Sequence, residues 1–442
     1  MNKTVFSAGL ALVGAIGSLS GRAADSQILA PKVWDVSASL RGFYDDNYNI
    51  SGGRGSYGTE LVPSISFNVP LQQTDVGLRY IYGLYYYNDR DSLGLNPFDQ
   101  THQVNIWLDH AFNTRWKLTA SDTVAVGQEP ELINNPNLPS AQVFRLNGNN
   151  VGNHANLTLS TEWTRQFSTS LNYGNDFYSY DNSGATLIDI LPGGKGPSYA
   201  GQLNRIEQHI DLDLQWHFQP ETMGFVGYQF SWVNFTGNEL ISYSEFPDPI
   251  KPLIKDVIFH HSADRDSRTH YGYVGVQHQF TPNLAGTVRG GAAYTDNYND
   301  PNYPSTSVSP YVDFNSTYTY SPGSYLQVGF TQDNNATDVV KADTTGHLTQ
   351  YQESSVIYAD INHRLTPKLV GTIIARDQIS AFQYGAYSSS ADTDYSLGLN
   401  FDYQINHHFS VDVGYNYDQL VSDIPGRGFE RNRFYFGLTA TY

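Results

Sequence analysis

The chain has 442 residues, with 43 acidic and 25 basic side chains and a formal net charge of −18, which excludes nucleic acid as an expected partner. It has no cysteine, so disulfides, thiol catalysis and thiolate metal sites are excluded. Aromatic residues are abundant (33 Tyr, 23 Phe and 6 Trp), yet only 15% of residues are charged. This balance suits a protein with two amphipathic interfaces, although a soluble acidic β protein has a similar composition.

The first 23 residues have the pattern of a signal peptide. Lys3 opens a short basic region, and an uncharged apolar stretch follows from Val5 to Leu19. Gly21-Arg22-Ala23 places small residues where a signal peptidase requires them, which predicts cleavage before Ala24, with Ala24 itself as the alternative last residue of the signal. The apolar stretch is shorter than the ~20 residues that a membrane-spanning helix needs. We therefore predict a signal peptide over 1–23 and a mature domain over 24–442.

The mature chain begins with a segment in which apolar and polar residues alternate, Trp34 to Asp45, and the same pattern returns over 206–218, 395–405 and 433–442. In the last of these, Phe434, Phe436 and Leu438 share one face of a strand. Such segments run for ten or more residues, longer than the strands of most globular sheets and close to the ~9–11 residues that cross a bilayer at a tilt. The pattern indicates transmembrane β-strands.

Short and long breaks separate these segments in turn. The short ones predict eight tight turns, near 70–74, 113–115, 168–169, 219–222, 281–283, 321–323, 366–368 and 406–408. The long ones predict nine polar loops, near 48–58, 88–99, 127–153, 181–204, 235–268, 296–307, 333–349, 384–393 and 419–430. Together they join eighteen strands, which predicts an all-β, antiparallel up-and-down barrel in the bacterial outer membrane, with short periplasmic turns and long outer loops.

Large apolar residues stand beside the predicted turns and are expected to form a periplasmic girdle. They are Phe112, Phe167, Phe218, Phe280, Tyr320, Leu365 and Ile405. The third loop, over 127–153, and the fifth, over 235–268, are both long enough to fold inward and narrow the lumen, and the sequence leaves open which of them does so. No motif for a catalytic serine or a zinc-dependent hydrolase is present, so no enzyme activity and no catalytic residue is expected.

Two stretches carry resemblances. The final strand resembles the C-terminal signal that barrel-assembly machinery reads, with Tyr435, Gly437, Ala440 and Tyr442 at its key positions. The segment Leu40 to Ile50, with Tyr44-Asp45-Asp46-Asn47, followed by Pro63 to Phe67, resembles the family called putative β-barrel porin 2. That resemblance implies an outer-membrane channel without catalytic residues, some relatives of which are linked to polysaccharide export.

In each strand every second residue lies on the polar face. Charged residues on that face are predicted to line the pore. They are Arg41, Arg79, Lys117, Glu162, Glu207, Asp211, Asp213, Arg289, Asp313, Asp402 and Arg433. The wall is therefore mixed, and the acidic outer loops are expected to favour cations and neutral solutes over anions.

Two clusters of histidines and acids raise the question of a metal site. His209, Asp211, Asp213 and His217 share one strand face, and a solvated pore wall is the favoured interpretation. His260, His261, Asp264, Asp266 and His270 lie in the fifth loop, where a hydrated tip is favoured over a divalent ion. No cofactor is expected, apart from Ca²⁺ or Mg²⁺ held loosely at the outer loops.

Two functions fit the sequence. The first is a porin-like channel for passive diffusion of small hydrophilic solutes, because barrels of ~16–18 strands leave a water-filled lumen. The second is a barrel component of a polysaccharide-export or secretion assembly. The expected partners are outer-membrane lipids and lipopolysaccharide, the barrel-assembly machinery during insertion, and the solutes themselves.

Overall fold

The computed structural model describes residues 33–50, 53–127, 149–191, 194–247, 255–300 and 305–442. The predicted signal peptide and most of the third loop lie outside these ranges. Nine strands form the first half of the sheet: β1 (Trp34–Asp45), β2 (Ser56–Pro70), β3 (Thr74–Tyr87), β4 (Phe98–Ala111), β5 (Trp116–Gly127), β6 (Asn150–Glu162), β7 (Phe167–Tyr180), β8 (Arg205–Gln219) and β9 (Thr222–Phe235).

A two-stranded hairpin follows, formed by β10 (Leu240–Pro247) and β11 (Lys255–His261). The sheet then continues through β12 (Ser267–Thr281), β13 (Leu284–Asn297), β14 (Ser305–Ser321), β15 (Ser324–Ala336), β16 (Tyr351–Thr366), β17 (Leu369–Gln383), β18 (Ala391–Gln404), β19 (Phe409–Ser422) and β20 (Phe429–Thr441).

In the described part of the chain, short helices lie in the long connections: α1 (Asn88–Ser92), α2 (Leu187–Ile190) and α3 (Tyr199–Leu203), with 3₁₀ turns at Ser262–Arg265 and Gly385–Tyr387. Within the described ranges, no helix is long and apolar enough to cross a membrane.

The eighteen strands outside the hairpin close into one antiparallel barrel. Each pairs with its neighbours in the chain, β9 pairs with β12 across the hairpin, and β1 pairs with both β2 and β20. Closure pairs the first strand with the last, so the ladder hydrogen bonds of the barrel are made between neighbouring strands all the way round. The prediction of an eighteen-stranded, antiparallel barrel is confirmed.

Side chains alternate between the two faces of the barrel, as the sequence pattern predicts. In β20 the apolar residues Phe434, Phe436 and Leu438 are 52%, 62% and 44% exposed on the outer face. Arg433 and Tyr435 point the other way, because Arg433 contacts Glu60 and Tyr435 lies beneath the Arg41 guanidinium. Residues paired in register share a face, so the inner face can be followed from strand to strand around the barrel.

Seven of the eight tight turns lie where the sequence predicts them, and one prediction is wrong. The turn expected at 168–169 is formed by residues 163–166, and β7 begins at Phe167. The Thr164 hydroxyl fixes this turn by accepting hydrogen bonds from the backbone N–H groups of Gln166 and Phe167, at 3.2 and 3.0 Å. Phe167 therefore follows its turn, whereas Phe112, Phe218 and Phe280 precede theirs and are more than half exposed.

The nine connections at the opposite end are numbered loops 1 to 9 in chain order. Loop 1 joins β1 to β2, loop 4 joins β7 to β8, loop 5 holds the hairpin between β9 and β12, loop 7 joins β15 to β16, loop 8 joins β17 to β18, and loop 9 joins β19 to β20. Long strands of 12 to 17 residues carry these loops beyond the thickness of a bilayer.

Candidate functional site: the inner wall and the external mouth

All eleven charged residues predicted to line the pore lie on the inner face of the barrel. They occupy nine different strands, and the structure divides most of them between two clusters. The first cluster lies on β18 to β20, β1 and β2, and the second on β7, β8 and β12 to β14.

The first cluster is an ion-pair network around Arg41. Its Nε donates to Asp412 at 2.8 Å and its Nη1 lies 3.4 Å from Glu60, which also receives Arg433 Nη2 at 3.1 Å. Asp402 stands opposite Asp412 in the β18–β19 register. Both predicted arginines are therefore neutralised by carboxylates of the wall. Glu60 and Asp412 are not among the residues predicted from the sequence, although each alternates in step with the polar residues of its strand.

In the second cluster, uncharged side chains donate hydrogen bonds to the carboxylates. The Tyr273 hydroxyl donates to Asp213 at 2.8 Å, and the Asn172 amide donates to Asp211 at 2.9 Å. His209 Nε2 lies 3.5 Å from Asp211. Nearby, Arg289 lies 3.3 Å from Asp313. The arginine of this cluster thus contacts a carboxylate of its own.

The Arg289 guanidinium also lies over the rings of Tyr273 and Tyr311, at 5.7 and 5.9 Å from their centroids. Together with Tyr271, these rings form a buried aromatic layer on the wall, packed against Ala293 and Phe225. The layer fixes the guanidinium against the barrel wall.

The remaining predicted residues are more dispersed. Lys117 Nζ lies 3.1 Å from Asp109 in a half-exposed pair, and Glu207 accepts from the buried Arg205 at 2.6 Å. Arg79 stands opposite Ser66 and Asn105 in register. Glu162 is exposed at the turn end of β6, opposite Ser168.

Aromatic rings of the inner wall lie flat over glycines of the neighbouring strand. The Tyr435 ring occupies the place of a Cβ at Gly414, and the Tyr358 ring does the same at Gly329. Further pairs of this kind are Gly58 with Phe43, Gly77 with Trp107, Gly227 with Tyr273 and Gly275 with Phe225. Because each ring covers a glycine, it lies along the wall rather than across the lumen.

Replacing Gly414 with valine is therefore expected to push the Tyr435 ring inwards and to lower the single-channel conductance. The decrease should be on the order of tens of per cent, because one ring fills a small part of so wide a barrel. Gly42→Val is the matched control, since Gly42 lies on the outer face with open space around it. Equal conductance of the two variants in a planar bilayer would contradict this arrangement.

The outer loops meet over the mouth of the barrel. Arg265 of loop 5, which is 1% exposed, donates to the carbonyl oxygens of Gln202 in loop 4, at 3.0 Å, and of Thr337 in loop 7. Its guanidinium lies 4.3 Å from the Phe235 ring centroid. Burial, reinforced by the charge of Arg205, lowers the pKa of Arg265 to about 9. Three loops are thus joined through one buried side chain.

An apolar contact joins the hairpin to loop 7. Ile241 of β10 packs against Val340, Ala342 and Leu348, and Ile241 and Leu348 are 2% and 0% exposed. The backbone N–H of Ala342 also donates to the Ser242 hydroxyl at 3.0 Å. Loops 5 and 7 therefore share a small core outside the barrel wall.

Arg427 of loop 9 fixes the other side of the mouth. Its Nε donates to Asp392 at 2.7 Å, and its Nη2 lies 2.7 Å from Asp338 of loop 7. Burial opposes the charge of Arg427, but the two carboxylates outweigh burial and raise its pKa above the ordinary value. Beside it lies a cavity of about 430 Å³ that is lined by residues of loops 1, 4, 7, 8 and 9. Loops 4 and 9 leave nearly opposite sides of the barrel, so this cavity lies across the mouth.

The expectation of a hydrated tip in the fifth loop is wrong for two of its residues. His260 is fully buried, with Nε2 3.0 Å from the Ser244 hydroxyl, and Asp264 is 9% exposed. Both are covered because the hairpin packs onto loop 7. Among the described residues, no group of three or more His, Asp or Glu side chains is arranged to hold a metal ion.

The model of one protein family, putative beta-barrel porin 2, matches residues 35–442. This chain belongs to that family. The resemblance noted at Leu40 to Ile50 is thereby confirmed, and the chain is a porin-like β-barrel. No match was found among the curated proteins that were searched.

Several solved structures are similar to this member of the putative beta-barrel porin 2 family. OpdK, an outer membrane protein of Pseudomonas aeruginosa, has a TM-score of 0.44 and 11% identity, over 92% of this chain and 99% of that chain. OccAB4 of Acinetobacter baumannii has a TM-score of 0.43 and 11% identity, over 93% and 99%. OccK2 of Pseudomonas aeruginosa, solved in complex with glucuronate, has a TM-score of 0.45 and 10% identity, over 92% and 98%.

Proposed function

We propose that this protein is a passive channel for small hydrophilic solutes in the bacterial outer membrane, and that cations and neutral solutes pass more readily than anions. The observation that carries the proposal is the charge arrangement of the inner wall. Arg41, Arg289 and Arg433 each contact a carboxylate, whereas Asp211 and Asp213 accept hydrogen bonds from an amide and a hydroxyl. A wall on which these three arginines are paired with carboxylates, while two further carboxylates are held by neutral donors, is attractive to cations.

The outer mouth limits the size of the solute. Contacts link loop 5 to loops 4 and 7, and loop 7 to loop 9, and a cavity of about 430 Å³ lies beside Arg427 between loops 1, 4, 7, 8 and 9. An entrance crossed by linked loops admits small solutes more readily than long polymers. An export or secretion barrel stays the alternative prediction, which a barrel that does not conduct ions would support.

The reversal potential in a planar bilayer with a KCl gradient tests the selectivity. We expect the sign of a cation-preferring pore, and a smaller value as salt rises, since the Debye length falls from ~10 Å at 0.1 M to ~3 Å at 1 M. Replacing both Asp211 and Asp213 with asparagine should reduce the potential.

Asp377→Asn is the matched control for the asparagine variants. Asp377 lies on the outer face of β17, opposite the outward residues Ile357 and Tyr395, so its charge does not face the lumen. The control should leave the reversal potential unchanged. An anion-preferring potential at low salt would overturn the proposed selectivity.

A further inference from the structure

Four polar residues interrupt the apolar outer face of the barrel on β5 to β8. They are Asp122, Asn153, Asn175 and Gln208, and they form the outer polar patch. The register places them together, because Asp122 and Asn175 stand on either side of Ala155, and Gln208 stands opposite Asn175.

The outer polar patch lies within the apolar belt rather than above it. Towards the loops it is followed by the outward residues Val124, Val126, Val151, Phe177 and Ile206. Towards the turns it is followed by Leu157, Leu171 and Ile210, which are 44%, 45% and 42% exposed. The patch would therefore face hydrocarbon if the barrel stood alone in a bilayer.

Two distant strands, β18 and β20, carry runs of apolar outward residues instead. On β20 the outward residues are Phe434, Phe436 and Leu438, and on β18 they are Tyr395, Leu397 and Leu399. Amide and carboxylate groups are costly in hydrocarbon unless they are hydrogen-bonded. A cover of protein removes that cost, whereas lipid chains do not.

Contacts within the patch leave groups available for a partner. Asn153 donates to one carboxylate oxygen of Asp122, and Gln208 donates to Asn175 Oδ1 at 3.0 Å and to the Tyr173 hydroxyl at 2.8 Å. Among the described residues, the second carboxylate oxygen of Asp122 accepts no hydrogen bond, and the side-chain N–H groups of Asn175 donate none. One edge of the patch thus offers an acceptor and the other offers donors.

We propose that the outer polar patch is the contact surface of a homodimer, in which a second copy of this chain covers it. A two-fold axis near Ala155 turns the Asp122 edge of one copy towards the Asn175 edge of the other, so that the donors of each copy face the acceptor of its partner. Interhelical hydrogen bonds are known to stabilise association in membranes, and the same physics applies between barrels.

Cysteine cross-linking of the full-length protein in outer membranes tests this proposal, because the chain has no cysteine of its own. Ala155→Cys should give a disulfide-linked product of twice the monomer mass. Ala375→Cys is the matched control, since it places the same residue on the outer face of β17, between Ala359 and Leu397 in register. The control should stay monomeric.

A second set of variants tests the role of the polar groups. In the Ala155→Cys background, Asp122→Leu with Asn175→Leu should lower the cross-linked fraction by on the order of tenfold, since each copy loses its hydrogen-bonding groups. Asp377→Leu, an outward acid outside the patch, should leave it unchanged.

Three outcomes would overturn the proposal: equal cross-linking at Ala155 and Ala375, cross-linking that survives the double leucine variant, or a product whose mass indicates a different partner protein. Cross-linking reports the interface whether or not the barrel conducts ions, so this test is independent of the proposed channel function.

Discussion

Replacing Arg427 with methionine is expected to raise the single-channel conductance, because the variant releases loop 9 from loop 7 and from β18. The Arg427 guanidinium holds Asp338 and Asp392, whose side chains are only 2% and 8% exposed. Removing one partner of a buried ion pair costs about 3–5 kcal/mol, since the charge left behind stays buried without compensation. Here two carboxylates are left behind, so we expect the loops to move apart and admit water.

The measurement is the conductance of Arg427→Met in a planar bilayer, together with the rate of proteolysis in loops 7 and 9 of folded protein in detergent. Both quantities should rise. Arg54→Met is the matched control, because Arg54 and Asp89 form an exposed loop ion pair at 3.5 Å, with Arg54 48% exposed. Exposed pairs contribute only about 0–1 kcal/mol, so this variant should behave like the unmodified protein. A conductance of Arg427→Met at or below the unmodified value would contradict the proposed role of Arg427.

Deleting Tyr442 is expected to reduce the amount of folded protein in the outer membrane to a small fraction of the normal level. The Tyr442 backbone extends the β1–β20 ladder that closes the barrel, because its N–H donates to Val36 O at 2.8 Å and its carbonyl accepts from Val36 N–H at 3.1 Å. Its ring packs on Trp34, with centroids 5.5 Å apart, and stacks on His408 at 6.3 Å. The deletion removes these closing contacts and the last residue of the predicted assembly signal.

The amount of heat-modifiable protein in isolated outer membranes measures this effect. Tyr442→Phe should remain near the normal level, because it keeps the backbone bonds and the ring. Tyr442→Asp should resemble the deletion, since a carboxylate then faces the interface of the membrane. Normal levels of the deletion variant would show that neither closure at this residue nor the assembly signal limits insertion.

The barrel could be predicted from the sequence because its pattern is local. Alternation such as that of Phe434, Phe436 and Leu438 needs only the geometry of one strand, and the turns need only a few residues each. The same alternation of apolar and polar residues predicts which charged residues lie on the inner face. The displaced turn at 163–166 depends on the Thr164 hydroxyl, whose preference for this turn is weaker than that of the prolines in other turns.

The arrangement of the mouth could not be predicted in this way. Arg265 and Arg427 bind partners more than sixty residues away in the chain, and nothing periodic marks such contacts. Tyr435 covers Gly414 because the two residues stand opposite each other on neighbouring strands. That register follows from the closed barrel as a whole, so the sequence of one strand does not predict it.

The most direct test of the channel is the conductance of the purified, refolded protein in a planar bilayer. We expect discrete current steps of uniform size in symmetric KCl, from a lumen that eighteen strands leave open to water. The steps should be absent when unfolded protein is added. A folded, heat-modifiable barrel that inserts without any current step would contradict the proposal that this member of the family is a diffusion channel.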